Sequence, residues 1–327
     1  MAFSNTYNVT NPGSGVSNRE DLTDVLTILA PEETPVLSLA NKSKATATFN
    51  EWTVDSLATP VATGIQEGAD ISSFTDKFTG RARLGNYIQL FRRDFMVSQL
   101  QQAVESVGPA KLAEAEAKGV REIKRDMEKM LCGDQDRSVE DGGSSPGTRY
   151  VSRGLGLWTS NAPGADVPSA FRTPTASIHG TGTLSENAFN GLIASIYTQT
   201  GTVDKLSLVA GTVLRRTVSG FARSDNNTNE NVYHVNQMAT DKEITLSVNT
   251  YDSDFGIITV INGNPACLPD SSRGYIINPD YLGVAELMSL GSTRVPDQGG
   301  GQRGFVDAAA GLQVFSPLAH GKITVVS

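Results

Sequence analysis

The chain has 327 residues, with 35 acidic against 27 basic side chains, a formal net charge of −8, and charged residues at only 19% of positions. That length suits two subdomains better than one simple core. The acidic balance excludes a dedicated DNA clamp, which needs a basic face, and the lack of any stretch of about 18 apolar residues leaves no membrane-spanning segment and no membrane partner.

Residues 1–45 read as an arm. Met1-Ala2-Phe3-Ser4-Asn5 has neither the basic region nor the apolar core of a secretory leader. Asn11-Pro12-Gly13-Ser14-Gly15 is turn chemistry. Leu22, Val25, Leu26 and Leu29 then form a short helical stripe that Asn18 or Asp21 can cap and Pro31 stops, with Pro35 just beyond. The arm has too little apolar surface for a core of its own, so it must lie on the body or on a neighbour.

Residues 46–98 read as a long hairpin. Thr46, Thr48, Glu51 and Thr53 alternate with Phe49, Trp52 and Val54, and the chain returns through Phe78 to Phe95. The centre, Ala58 to Asp76, is expected to be a small, polar, flexible tip. Residues 99–133 carry the strongest helical signal. After Pro109, Leu112, Ala113, Ala115, Val120, Ile123, Met127, Met130 and Leu131 recur at three- and four-residue spacing. Lys111, Glu114, Glu116, Lys118, Arg121, Glu122, Lys124, Arg125, Glu128 and Lys129 make a charged face, and Gly133 is a natural stop.

Residues 134–182 are an irregular segment that includes Arg153-Gly154-Leu155-Gly156-Leu157-Trp158, and one this long is usually functional or at an interface. Residues 183–290 suit a compact α/β unit. Ser185 caps a helix through Ala188, Phe189, Leu192, Ile193, Ile196 and Tyr197 that Gly201 ends. Leu206 to Val209 make a buried strand, and Val213, Leu214, Val218 and Phe221 a second helix. Asp225 to Glu230 form a polar loop, and strands follow at Ile244–Val248, Phe255–Ile261 and Tyr275–Ile277. Past Gly299-Gly300-Gly301, Leu312–Phe315 and Ile323–Val326 are closing strands.

The chemical motifs are poor. Gly143-Ser144-Ser145-Pro146-Gly147 has the spacing of a nucleophile elbow, but Pro146 lacks the N–H an oxyanion hole needs there. His179, His234 and His320 show no metal-ligand spacing and are expected in loops and turns. Asp134, Asp136 and Ser138 begin like a calcium loop, but Val139 stands at the required glycine and Ser145 at the closing glutamate. Gly299 to Gly304 lacks the lysine and hydroxyl of a phosphate loop and reads as a flexible connector. Arg92-Arg93 and Arg215-Arg216 suit salt bridges better than DNA contacts. Cys132 and Cys267 are expected as two reduced, partly buried thiols.

Five runs carry a resemblance: Phe49-Asn50-Glu51-Trp52-Thr53-Val54-Asp55-Ser56-Leu57, then Arg81-Ala82-Arg83-Leu84-Gly85-Asn86-Tyr87-Ile88-Gln89-Leu90-Phe91, Val97-Ser98, Glu122-Ile123-Lys124-Arg125-Asp126-Met127-Glu128 and Gly154-Leu155. In this order, over nearly the whole chain, they resemble the major capsid (major head) proteins of tailed bacteriophages with the Hong Kong 97-type fold. The resemblance implies an α+β fold with an N-terminal arm (1–45), an extended E-loop hairpin (46–98), a P-domain with a long spine helix and loop (99–182), an A-domain (183–290) and strands returning to the P-domain (291–327). It implies a structural protein, not an enzyme, with no catalytic, cofactor or metal residues. Such a protein self-assembles as hexamers and pentamers into an icosahedral shell around the phage dsDNA, in the virion, after assembly in the bacterial host cytoplasm. A shell subunit needs large interfaces and overlapping limbs rather than a pocket.

A tail or decoration component is the alternative, and an α/β enzyme built on 183–290 comes third. About 45 residues precede the hairpin, broken by Pro12, Pro31 and Pro35, which leaves no room for a long helical scaffolding segment. A separate scaffolding protein and a portal are therefore expected partners, with decoration or cement proteins as further ones. Lys77 is the only lysine between residues 51 and 100, which is no evidence of subunit cross-linking. The acidic total predicts an inner surface that touches packaged DNA loosely, without base readout.

Overall fold

The computed structural model describes residues 33–71, 73–78, 80–104, 111–141, 148–201, 203, 205–221, 249–296 and 299–326. Helix α1 (Pro35–Leu39) opens on a proline, where a first turn needs no N–H, and leads into strand β1 (Asn41–Lys44). Strands β2 (Phe49–Val54) and β3 (Ala82–Tyr87) pair antiparallel from Phe49↔Tyr87 to Val54↔Ala82, and residues 55–81 extend beyond them. One residue after β3 comes β4 (Gln89–Ser98). Ser98 caps the short α2 (Gln99–Ala103), its hydroxyl accepting the Gln101 N–H at 3.1 Å. Helix α3 (Lys111–Cys132) runs 22 residues, about 33 Å.

Helix α4 (Leu155–Trp158) is a single turn within the long middle segment, which ends in β5 (Ile178–Gly182). Helix α5 (Glu186–Thr200) begins and ends where the sequence places it. The Ser185 hydroxyl accepts the Ala188 N–H, and Gly201 closes it at φ 71°. Then come β6 (Ser207–Ala210), α6 (Thr212–Phe221), β7 (Thr250–Ser253), β8 (Gly256–Asn262), β9 (Arg273–Ile277), β10 (Leu282–Val295), β11 (Gly301–Val314) and β12 (Gly321–Val325).

Two sheets organise these elements. The first has the order β1-β10-β11-β4. Helix α3 covers one of its faces, packing Ile123, Met127, Met130 and Leu131 into a core with Phe91, Phe95, Val306 and Leu312. Gly119 lets helix and sheet approach closely, since a Cβ there would sit 3.3 Å from Val306. The second sheet has the order β5-β12-β9-β6-β8-β7. Phe189, Ile193 and Ile196 of α5 and Leu214 and Val218 of α6 share its core with Leu208, Ile276 and Ile323.

Several expectations need correction. The compact unit predicted to run to residue 290 ends before Leu282, because Leu282 to Ala285 are buried in the first sheet between β1 and β11. The last strand does not return to that sheet: β12 lies between β5 and β9, where Ile323 and Val325 complete the second core. Strand β5 falls inside the stretch read as irregular. The long β10–β11 hairpin was missed apart from Leu312–Val314, because Gly291, Gly301, Gly304 and Gly311 interrupt its alternation. Of Gly299 to Gly304, read as a flexible connector, Gly301 to Gly304 belong to β11, and Gly301 at φ 148° passes so close that a Cβ would lie 2.3 Å from the Val97 carbonyl.

Glu128 is read on the charged face of the helix, the one that is wet or at an interface. It is buried, and its two oxygens accept the N–H groups of Val36 and Leu37 at 3.0 and 2.9 Å, pinning the arm's α1 to α3. The helix at Leu22–Leu29, Pro109, the loops at 143–147 and 225–230, the strand at Ile244–Val248, and His234 lie outside the described residues.

Within the middle segment, Ser152 to Gly156 with Trp158 and Thr159 form a buried stretch, while much of the rest of its described residues is exposed. Arg153 is 1% exposed. Its Nε donates to Asp136 at 2.7 Å, and its two terminal nitrogens donate to Asp166 at 3.0 and 2.8 Å. Its guanidinium lies over the Trp158 ring at 4.9 Å. Its backbone N–H donates to Asn86 Oδ1, while Asn86 Nδ2 donates to the Arg153 and Leu312 carbonyls. Arg137 donates to the Gly85 carbonyl at 2.6 Å and pairs with Asp166 at 3.3 Å. Burial alone would raise the Asp166 pKa, but the hydrogen bond and charge of Arg153, with Arg137, hold it below the usual carboxylate range. A second node joins α3 to the six-stranded sheet: Asp134 accepts from Arg273 and from Lys322, at 2.7 and 3.0 Å. Arg153 is buried, but its partners Asp166 and Asp136 are 26% and 59% exposed, so removing the arginine strands partly solvated charges and costs less than the roughly 3–5 kcal/mol of a fully buried pair. Arg153→Met is therefore expected to lower the subunit's unfolding free energy and with it the urea midpoint, and an unchanged midpoint would show that this node is not structural.

Candidate assembly surfaces

The described residues present surfaces rather than a pocket. The first is the limb, residues 55–81, whose described residues belong to no helix or strand. At its root Arg81 donates to Asp55 at 2.7 Å and stacks on Phe78 at 4.3 Å. A turn at Glu67-Gly68 needs the positive φ of 80° that glycine adopts freely. The expected small, polar tip is not what the chain shows. Leu57 is 99% exposed, Ile65 and Phe74 are each 89% exposed, and Val61, Ile71 and Phe78 are exposed with them. Single exposed apolar residues need no explanation, but six along one protruding segment mark an interaction surface.

A second surface is the outer face and free edge of the four-stranded sheet. Strand β4 pairs with β11 alone among the described residues, and Leu90 and Met96 stand out from it at 55% and 77% exposure. The first arginine doublet behaves as expected: Arg92 reaches Asp307 at 3.6 Å and Arg93 pairs with Asp126 at 2.8 Å. Arg215 differs, donating instead to the Val260 carbonyl and the Asn249 side chain.

The chemical candidates do not converge. His179 sits in β5 rather than in a loop. His320 is fully buried, with Nδ1 accepting the Asn278 N–H at 3.3 Å. Asp134 and Asp136 are engaged by Arg273, Lys322 and Arg153. Among the described residues no group of three or more His, Cys, Asp or Glu side chains could hold a metal, and no helix is long and apolar enough to cross a membrane. Cys132 and Cys267 are buried free thiols. Burial pushes both upward in pKa, Cys267 to about 11, with Glu128 adding to the effect.

The same architecture recurs in capsids. The capsid of a native GTA particle matches with a TM-score of 0.63 at 11% identity, over 98% of this chain and 99% of that one. The capsid asymmetric unit of cyanophage A-1(L) matches at 0.63 with 16% identity, over 94% and 97%. A chain from Mycobacterium phage Adephagia matches at 0.60 with 14% identity, over 100% and 99%. No curated protein sequence matches. The fold is thus the Hong Kong 97-type α+β fold of phage capsid subunits. The chain belongs to the SU10 major capsid protein family, whose model matches residues 3–327. It is a non-enzymatic virion component that self-associates into the icosahedral head shell.

His320 gives this subunit a defined acid response. Burial lowers its pKa to about 4, against a weaker opposing contribution from the Tyr281 carbonyl. The unfolded chain binds the proton near pH 6.5 and the folded one only near 4. The stability is therefore complete above pH 6.5 and is lost as pH falls toward 4, by about 3 kcal/mol. Urea unfolding of the unassembled subunit should show this fall, and His320→Asn should reduce it above the carboxylate range, below which Asp134 and Asp166 add their own acid loss. An unchanged slope in that variant would remove His320 as the cause.

Proposed function

We propose that the subunit builds hexamers and pentamers in which the limb of each copy lies on its neighbour. In this reading residues 46–98 act as the E-loop, α3 with the β1-β10-β11-β4 sheet as the P-domain, and the six-stranded sheet with α5 and α6 as the A-domain. The observation that carries it is the limb itself, whose six large apolar side chains stay largely exposed among the described residues, Phe78 covered only in part by Arg81. Each contributes about 1.5–3 kcal/mol when fully buried, which gives a neighbouring surface a strong claim on it. A tail component would use the same limb to make tubes or small rings. Closed shells distinguish the two.

The wider partnership is a separate scaffolding protein, a portal, and decoration or cement proteins on the finished head. Packaged dsDNA is touched loosely. Supporting this, surface cations stand beside carboxylates: Lys42 with Glu286, Arg83 with Glu51, Lys205 with Asp280 and Arg294 with Glu116. A neutralised cation has little left to offer a phosphate.

Two measurements test the proposal. Deleting residues 60–76 should leave the subunit folded, with its thermal midpoint unchanged, while electron microscopy shows no shells; normal shells from that variant would end the limb reading. Empty shells should not bind duplex DNA tightly at physiological salt. Submicromolar affinity with a steep salt slope would instead indicate a basic lumen within an acidic total.

A further inference from the structure

The register of β9 and β12 sets Arg273 against Thr324 and Tyr275 against Lys322. Opposed residues of an antiparallel pair share a face. These four polar side chains therefore stand together, opposite the face where Ile276 and Ile323 join the core of α5 and α6. Tyr275 is settled there: its hydroxyl donates to the Cys132 carbonyl at 2.7 Å and stands beside Arg273. The two cations are less well matched. Among the described residues Asp134 is the carboxylate that pairs with Arg273 and also the one that pairs with Lys322. One negative charge answers two positive ones, unlike the surface pairs of Lys42 with Glu286 and Lys205 with Asp280.

We propose that this cluster binds a small tetrahedral oxyanion of the phosphate class, seated against Arg273 and Lys322. A recess of about 270 Å³ lies beside them, lined by Arg273, Lys322 and Thr324 from the sheet and by Asn161 and Thr175 from the middle segment. The bound ion would supply the missing negative charge and tie the sheet to that segment.

Three observations fit such a ligand. Arg273 gives Asp134 its Nη1. Its Nε is buried and has no partner among the described residues. A buried N–H left unpaired is rare and costly, and a bound ion is one remedy. That N–H is half of the planar edge with which arginine grips oxyanions.

Lys322 has capacity to spare as well. It spends two of its three N–H groups on Asp134 and on the Gly156 carbonyl, at 3.0 and 2.8 Å. Burial presses its pKa below the ordinary lysine value, and the Arg273 charge adds to that effect. An anion in the recess offsets the Arg273 charge. Finally, Asn161, Thr175 and Thr324 place neutral donors around the same space. Donors on several sides suit an ion with four oxygens better than a carboxylate with two.

The test is equilibrium dialysis of the unassembled subunit against radiolabelled inorganic phosphate, with ionic strength held constant by chloride. Saturable binding of one phosphate per chain is expected, displaced by sulfate and not by acetate. Lys322→Met should weaken it about tenfold or more, the worth of a charge-assisted hydrogen bond. Asn161→Ala removes a neutral donor from an exposed position. It should weaken binding by a smaller factor, and it decides the matter if Lys322→Met fails to fold. In folded Asp134→Asn chains binding should tighten, because the competing carboxylate is gone and both cations remain. A merely structural cluster gives no such gain. Duplex DNA at equal phosphate concentration should not compete, since a duplex cannot lower a single phosphate into the recess. Absence of saturable binding, binding that Lys322→Met and Asn161→Ala leave unchanged, or displacement by acetate or by the duplex would each overturn the proposal.

Discussion

A guanidinium held away from water is the constraint on which the rest of this subunit depends. Arg153 cannot lose its charge, so every polar contact it makes must be supplied by protein. Asp136, Asp166 and the Trp158 face surround the side chain, while Asn86 ties its backbone to β3 and, through Leu312, to β11. Four parts of the chain remote in sequence meet there: the hairpin root, the end of α3, the middle segment and the long β10–β11 pair. Displacing any of them leaves a buried charge short of partners. The limb projects from a fixed base for this reason, since β2 and β3 are held at Phe49 and Gly85 by Arg137, itself paired with Asp166.

Local chemistry made much of the fold legible. Ser185 and Gly201 bracket α5, Gly133 ends α3, and the alternation from Phe49 to Val54 is β2; each is a short-range rule with few competing outcomes. What escaped depended on partners far away. Glu128 sits among charged residues of a helical stripe, and only the arriving N–H groups of Val36 and Leu37, 92 and 91 residues distant, account for its burial. Strand β10 keeps Leu287, Met288 and Leu290 past Glu286, but register shifts between Glu286 and Met288 and between Met288 and Gly291 break the two-residue rhythm that would announce it. Destination was hidden in the same way. Nothing local to Ile323 distinguishes the sheet of β9 from that of β11.

The assembly surface was legible in outline and misread in composition. The stretch 58–76 averages out as small and polar, and averaging conceals that its few large apolar residues all face solvent. Identity of 11–16% with capsid chains that share the fold fits this picture. The fold rests on a burial pattern, and many sequences satisfy that requirement.

The succession of β3 and β4, separated only by Ile88, has a mechanical side. The limb is spliced lengthwise into the strand that borders the main sheet. A pull on the limb therefore loads the β4–β11 ladder, paired from Gln89↔Ala310 to Ser98↔Gly301, along the strand direction. All of its hydrogen bonds then resist together in shear, instead of opening one after another like a zip.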